Sequence, residues 1–159
     1  MVRYFSPIGI ITYKRRITDL EEQIAALEKQ VNESCSQGAE TTHDNTPFEV
    51  LKNDIGILDT RIREAYSILN EAVVKEYPKP HEVKCVGYGT QVMFERDGKA
   101  FDFMIVGYGE NNVDKGKILY DCPVALAIEG HKIGEIFRVK INGVMSHIKI
   151  KEVHHLRKQ

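Results

Sequence analysis

The sequence predicts an α+β protein with an N-terminal antiparallel coiled-coil hairpin and a C-terminal antiparallel sheet that carries one short helix. Three observations lead to this fold class. Two long segments repeat apolar residues at helical spacing, a proline-rich stretch interrupts the pattern, and the period of hydrophobic residues is two beyond it. The chain has 159 residues, of which 42% are hydrophobic. This length suits one average domain or two small ones, with a modest core.

The first helix is predicted to start at Ser6-Pro7. A serine hydroxyl caps a free backbone N–H, and proline at the first helical position gives up a donor that has no partner there. Apolar residues then alternate spacings of three and four without a break. They are Ile10, Tyr13, Ile17, Leu20, Ile24, Leu27 and Val31.

The second helix repeats this pattern and has a well-marked start. Thr46 is predicted as the N-cap, Pro47 as the first position and Glu49 as the residue that reaches back in a capping box. Gly56 interrupts the helix, and its expected explanation is a close approach or a slight bend. The apolar stripe consists of Phe48, Leu51, Ile55, Leu58, Ile62, Ala65, Leu69 and Ala72.

The stretch YPKPHEVK ends the helical pattern, because each proline disfavours helix in the residue before it. The predicted domains are therefore a coiled coil over 1–77, a linker over 78–84 and a globular domain over 85–159. In the globular domain TQVMFE, KAFDFMIV, EIFRVKI and SHIKIKEV are predicted strands, with Asp97-Gly98 as a hairpin turn. Within DCPVALAIEG, Pro123 is predicted to open a short helix and Gly130 to close it.

Composition restricts the class of protein. The net charge of −1 removes overall basicity as an argument for independent DNA binding. The three cysteines are far apart and form no CxxC pair, which favours reduced thiols. No segment has the apolar length of a signal peptide core or a membrane span. We therefore expect a cytoplasmic, monomeric protein without a membrane partner.

The turn between the helices, GAETTHDNTPF, contains two carboxylates, Glu40 and Asp44, and nothing apolar between them. Carboxylates are hard oxygen ligands that suit Mg²⁺, which usually takes only one or two of them from a protein. Four residues apart, these two can converge on one ion in a compact turn. The alternative is that both acids are hydrated and complement the dipole of the second helix.

Other candidate residues have weaker patterns. Lys14-Arg15-Arg16 and Lys52 can contact a nucleic-acid backbone, but basic residues on a helix more often form a solvated face. His154-His155 has no spaced metal-binding partner. Neither GYG stretch opens a helix in a βαβ unit, so neither is a phosphate loop. No arrangement of nucleophile, base and orienting group emerges.

Several segments, taken in order, resemble the Gre family of bacterial transcript-cleavage factors that act on stalled RNA polymerase. SPIGIITYKRRITDLEEQI is similar to the family's opening helix, and DNTPFEVLKNDIGILDTRI to its second helix. GTQV, IVG and DCPVALAIEGHKIGE resemble the family's FKBP-like C-terminal domain. The resemblance covers essentially the whole chain.

The resemblance implies a coiled coil that enters the secondary channel of RNA polymerase and a globular domain that docks at its rim. Acids at the tip then help to hold a Mg²⁺ ion in the polymerase's own active site, which cleaves backtracked RNA near its 3′ end. Such a protein is an accessory factor and not an enzyme. Lys52 is the residue expected to contact RNA.

Asp44 matches the family's acid immediately before asparagine. The position of the other acid is Thr41 in this chain, and the nearest carboxylate is Glu40. The loop Asp121-Cys122-Pro123 matches one that the family uses in docking, with cysteine where serine is common.

Two alternatives stay open at this stage. The first is a non-cleaving relative that occupies the same channel and inhibits or regulates the polymerase. The second is an FKBP-like prolyl isomerase or chaperone that carries a coiled coil. The second is disfavoured, because a fold does not by itself confer an activity.

Overall fold

The computed structural model describes residues 2–37 and 46–156, and for residues 34–37, 46 and 47 it describes the backbone alone. The chain divides into two compact units. The helical unit consists mainly of Tyr13–Ala72, and the sheet unit combines Arg3–Thr12 with Val73–Gln159. The domain boundaries that we predict from sequence, at 77 and 85, stay a prediction. None of the described helices has the length and apolar character that a bilayer span requires.

The two predicted helices are present. Helix α1 is Pro7–Gln37 and begins at the proline predicted as its first position. Helix α2 is Thr46–Asn70 and begins one residue before Pro47, its predicted first position. At the start of α1 the hydroxyl of Ser6 accepts a hydrogen bond from the Gly9 N–H at 2.8 Å. Ser6 is therefore the N-cap that its sequence context predicts.

The apolar stripes of both helices face inward within the helical unit, as the heptad spacing predicts. Tyr13, Ile17 and Ile62 are buried, and the other stripe residues of α1 and α2 in this unit are partly buried. The hydroxyl of Tyr66 on α2 donates to Glu21 of α1 at 2.7 Å. The unit is thus an antiparallel helical hairpin held mainly by its apolar seam.

The end of α2 differs from the prediction. The helix stops at Asn70, and Ala72, which we assigned to the helical stripe, begins strand β2 (Ala72–Val74). Strand β2 pairs with β1 (Arg3–Phe5), and the Lys75 N–H donates to the Phe5 carbonyl at 2.8 Å. Phe5 is fully buried. Pairing with β1, a partner remote in sequence, overrides the local helical pattern at Ala72.

A mostly antiparallel five-stranded sheet forms the centre of the sheet unit, in the order β5-β4-β3-β7-β6. Strand β5 pairs with β4 in parallel, which the sequence does not predict. The strands are β3 (Thr90–Arg96), β4 (Lys99–Val106), β5 (Lys117–Leu119), β6 (Ile136–Ile141) and β7 (Val144–His155).

Two tight turns set the register of this sheet. Asp97-Gly98 joins β3 to β4, and Asn142-Gly143 joins β6 to β7; all four residues have positive φ. This is the type I′ geometry that asparagine or aspartate followed by glycine favours. The predicted short helix, α3 (Pro123–Ile128), lies after β5. The buried core includes Val92, Phe94, Ile105, Ala125, Ile128, Ile141, Ile148 and Ile150.

Two glycines in the helices have opposite surroundings. A Cβ atom added to Gly9 would lie 2.5 Å from the backbone oxygen of Tyr108, within the sheet unit. A Cβ added to Gly56 meets nothing within 4 Å, so the close approach that we expected at Gly56 is wrong. Of these two glycines, only Gly9 is required for packing.

We predict that Gly56→Ala stabilises the chain by about 1 kcal/mol, because alanine loses less backbone entropy in a helix. Gly9→Ala, the matched control, should destabilise it by about 1–3 kcal/mol, because the methyl group displaces backbone. Urea unfolding followed by far-ultraviolet circular dichroism measures both. Destabilisation by Gly56→Ala would contradict the open surroundings of that position.

Candidate functional site

The predicted metal ligands lie outside the described residues. Helix α1 ends at Gln37 and α2 begins at Thr46, and both Glu40 and Asp44 fall between them. Their assignment to a Mg²⁺ site therefore stays a prediction. Elsewhere, the part of the chain that the structure describes brings no three His, Cys, Asp or Glu side chains together as a metal site.

Lys52 lies on the exposed surface of α2, one turn from Phe48. Its ammonium nitrogen is 4.3 Å from the centroid of the Phe48 ring. This is a cation–π contact, and at an exposed position it contributes about 0.5–1 kcal/mol. The contact positions the lysine side chain on the first turns of α2. The RNA-binding role of Lys52 stays a prediction.

The loop Asp121-Cys122-Pro123 is held by short-range contacts. Cys122 is the N-cap of α3, and its sulfur accepts a hydrogen bond from the Ala125 N–H at 3.5 Å. Pro123 occupies the first position of α3 and is exposed. A thiol thus caps this helix in the way that a serine hydroxyl would. Cys122 and Cys85 are both free thiols.

Asp121 is fixed by two donors from distant parts of the sequence. Its Oδ2 atom accepts a hydrogen bond from the Tyr108 hydroxyl at 2.7 Å and from Arg3 Nη1 at 3.3 Å. Arg3 also donates to the Tyr108 hydroxyl. The side chains of Arg3 and Asp121 are each 26% exposed. The carboxylate is therefore positioned by the fold and still accessible.

Sequence reasoning missed the aromatic group that supports this loop. We call it the tyrosine cluster, and it lies within the sheet unit with neighbouring ring centroids 5.0 to 6.2 Å apart. Rings at these distances and tilts contribute packing energy beyond their buried area. The members are Tyr4, Tyr77, Tyr88, Tyr108 and Tyr120.

The two GYG stretches provide space for the tyrosine cluster. A Cβ atom at Gly89 would lie 2.5 Å from Pro78 and 2.7 Å from the Tyr77 ring. A Cβ at Gly107 would lie 2.8 Å from the Tyr4 carbonyl oxygen and 3.2 Å from the Tyr88 ring. Neither GYG stretch is a phosphate loop. Their repeated tyrosine between glycines is instead the signal for close aromatic packing.

Polar contacts complete the tyrosine cluster. The Glu110 carboxylate accepts hydrogen bonds from the Tyr77 hydroxyl at 2.6 Å and from the Ser6 hydroxyl. The Tyr88 hydroxyl donates to the Lys75 carbonyl at 2.9 Å. The Lys75 ammonium lies 4.6 Å from the centroid of the Tyr4 ring. These contacts satisfy the hydroxyls of Tyr77 and Tyr88, which are partly buried.

The environment of four tyrosines in the cluster disfavours the ionised form of their hydroxyls. Burial, followed by the hydrogen bond to Asp121, raises the pKa of Tyr108 to about 12. Burial is also the main cause that raises the pKa of Tyr77, Tyr88 and Tyr120. These four hydroxyls therefore keep their protons more strongly than a free tyrosine does, and that of Tyr108 donates the hydrogen bond that holds Asp121 in place.

Comparison with known proteins gives a family for the C-terminal part. Residues 79–155 match the family described as transcription elongation factor, GreA/GreB, C-terminal. Over 103 residues the chain is 31% identical to transcription elongation factor GreA of Thermomicrobium roseum, an alignment that covers 64% of this chain and 66% of that protein. It is 34% identical over 103 residues to GreA of Nautilia profundicola, covering 63% of this chain and 62% of that protein. The matched part thus spans less than two thirds of either relative.

A solved structure also resembles the chain along its length. It is the crystal structure of GreA factor homolog 1 (Gfh1) of Thermus thermophilus, with 20% sequence identity and a TM-score of 0.45. The alignment covers 97% of this chain and 99% of that one.

We predict that the free energy of unfolding falls as pH rises from about 10 to about 12. Unfolded tyrosine ionises near pH 10, whereas Tyr108 retains its proton until about pH 12. The contribution of this raised pKa to the free energy of unfolding is fully present below pH 10. It is lost as pH rises through the pKa of Tyr108 in the folded state. Urea unfolding at a series of alkaline pH values measures the change.

Asp121→Asn should lower the pKa of Tyr108 but leave it above 10, because burial persists without the carboxylate. Ultraviolet absorbance of tyrosinate reports the titration. Asp114→Asn, which removes an exposed carboxylate in the same unit, is the control and should leave the curve unchanged. An unaltered curve for Asp121→Asn would contradict the assigned hydrogen bond.

Proposed function

We propose that this chain is a transcription elongation factor of the GreA/GreB family, and that it binds RNA polymerase and stimulates cleavage of backtracked RNA. The match of residues 79–155 carries this proposal. The family is one of transcription elongation factors. The relatives from Thermomicrobium roseum and Nautilia profundicola are both named transcription elongation factor GreA. We further propose that the protein acts in the cytoplasm, as a monomer, on the polymerase's own active site.

The length of the helical hairpin suits this function. Helix α1 has 31 residues and α2 has 25. At 1.5 Å per residue, 31 residues extend roughly 45 Å. A hairpin with arms of this size can deliver its turn into a deep channel, and we propose the secondary channel of RNA polymerase as its destination.

The chemistry that we propose for the turn rests on its two carboxylates. Asp44 and Glu40 supply the hard oxygen atoms that suit Mg²⁺, an ion that when bound activates water and stabilises the leaving oxygen of a phosphodiester. The polymerase would share this ion, and the chain alone would hold it weakly. Lys52 would lie near the RNA 3′ end and neutralise phosphate charge.

We propose that Asp121, Cys122 and Pro123 form the polymerase-docking loop of the sheet unit. The supporting observations are the fixed but accessible carboxylate of Asp121 and the exposed Pro123 at the start of α3. A loop that is ordered before binding loses less conformational entropy when it docks. Arg3 and Tyr108 provide that order.

Asp44→Asn should abolish stimulated cleavage without weakening polymerase binding. The substitution removes the charge that holds Mg²⁺, and a change outside both apolar stripes should alter stability by no more than about 0.5 kcal/mol. Glu40→Gln should have the same effect if Glu40 supplies the second acid. RNA length in a defined backtracked elongation complex measures cleavage, and co-sedimentation measures binding.

Asp54→Asn is the matched control, because Asp54 is an exposed acid on α2. The Asp54→Asn protein should stimulate RNA cleavage at the same rate as the unmodified protein. If Asp44→Asn also does so, the turn is not a metal site and its acids are simply hydrated. If the unmodified protein binds polymerase and slows synthesis without shortening RNA, it is the non-cleaving channel binder.

Asp121→Asn should weaken polymerase binding, and Tyr108→Phe should distinguish a direct contact from a structural role. Tyr108→Phe removes one hydrogen bond to Asp121 but leaves its charge. We expect the first variant to lose roughly tenfold in affinity and the second much less. Equal losses would mean that Asp121 only supports the fold. Direct titration of polymerase with labelled protein gives both values.

A further inference from the structure

Strand β6 is an edge of the five-stranded sheet, with β7 on one side and no described strand on the other. The turn at Asn142-Gly143 pairs Ile141 with Val144. In a two-residue turn of this type these flanking residues exchange ladder hydrogen bonds, and along the strand every second residue does so. The Ile150 N–H, which donates to the Glu135 carbonyl at 3.0 Å, follows the same alternation.

The remaining residues of β6 therefore direct their backbone groups away from β7. These are Ile136, Arg138 and Lys140. Within the described residues, none of their N–H or carbonyl groups has a hydrogen-bond partner on the free side. An edge of this kind is a template for an additional strand.

Basic side chains lie on the outer face at this edge. Arg138 and Lys140 are exposed and share the outer face of the sheet with Lys149, which lies opposite Ile136. In the part of the chain that the structure describes, no carboxylate forms an ion pair with any of these three. Glu95 of β3 lies opposite Lys149, forms an ion pair with Lys151 at 2.9 Å and also attracts Lys149 electrostatically. The positive charge of the edge therefore comes mainly from Arg138 and Lys140.

Apolar surface accompanies this charge. Ile136 is 56% exposed on the outer face. On the inner face Phe137 and Val139 are only partly buried, and α3, which contacts β6, leaves Leu126 56% exposed. A new strand beside β6 would place alternate side chains on the two faces. Its outer side chains would meet Arg138 and Lys140, and its inner ones would cover apolar surface.

We propose that β6 binds an extended protein segment with alternating acidic and apolar residues, which adds to the sheet as a sixth strand. The main-chain bonds would come from Ile136, Arg138 and Lys140. The acidic side chains would lie beside Arg138 and Lys140 on the outer face. This inference goes beyond the proposed function and does not rest on it.

Two other occupants fit the edge less well. A second copy of this chain in two-fold antiparallel pairing would bring Arg138 and Lys140 against the same residues, and like charges opposite one another destabilise a sheet. A single-stranded nucleic acid needs aromatic rings for base stacking. The outer-face residues of β6 and their partners on β7 include none apart from His147.

The test uses the full chain and a labelled peptide, acetyl-Glu-Val-Glu-Val-Glu-Val-Glu-amide. We expect binding by fluorescence anisotropy, and slower hydrogen exchange by NMR at the Arg138 and Lys140 amides. A peptide with lysine in place of glutamate should not bind, and a block peptide of the same composition should bind at least about tenfold more weakly. Failure of the alternating peptide to bind, or equal binding by the block peptide, would overturn the proposal.

Two substitutions at one residue separate backbone pairing from charge. Arg138→Ala removes the charge alone, whereas Arg138→Pro also removes the N–H that faces the free edge; proline is tolerated at such positions. Arg138→Pro should bind at least several-fold more weakly than Arg138→Ala. If both variants bind the peptide with equal affinity and the wild-type amides show no slower hydrogen exchange, the peptide makes a charge contact without adding a strand, which would overturn the proposal. If Arg138→Pro does not fold, protection of the Arg138 and Lys140 amides in the wild-type chain still distinguishes strand addition from a charge contact.

The competing occupants give distinct results. Binding of a uridine oligonucleotide at this face in preference to the acidic peptide would replace the proposal with a nucleic-acid site. A concentration-dependent dimer in analytical ultracentrifugation that Arg138→Pro abolishes would assign the edge to a second copy of the chain. Either result would overturn the acidic-segment proposal.

Discussion

The carboxylate of Glu110 joins segments that are far apart in the sequence. It accepts hydrogen bonds from Ser6, which caps α1, and from Tyr77, which follows β2. A partly buried carboxylate needs such donors, because an unsatisfied charge in this environment is costly. The start of α1 therefore belongs to the sheet unit. The tyrosine cluster and the position of Asp121 depend on the same assembly of segments.

Local pattern predicts much of this fold, and the residues show why. The stripes that contain Ile17 and Ile62 follow a helical period that each segment specifies by itself. Asp97-Gly98 and the flanking alternation likewise specify a hairpin within a short stretch. Ser6-Pro7 and Pro123 predict the starts of α1 and α3, because the chemistry of a helix N-terminus is local.

The features that sequence analysis missed depend on distant partners. Strands β1, β2 and β5 have three residues each, which is too short for a recognisable period. Their pairing is specified by burial of residues such as Phe5 in a core that no single segment reveals. The partners of Asp121 are likewise remote, since Arg3 precedes it by 118 residues. The roles of Glu40 and Asp44 rest on sequence and family resemblance alone.

The tyrosine cluster has a spectroscopic consequence. The chain contains seven tyrosines and no tryptophan, and five of the tyrosines lie in this one cluster. Tyr13 and Tyr66 are the two in the helical unit. Intrinsic tyrosine emission is therefore not masked by indole, and most of its sources lie beside the Asp121 loop. The unlabelled protein carries its own optical reporter of the sheet unit.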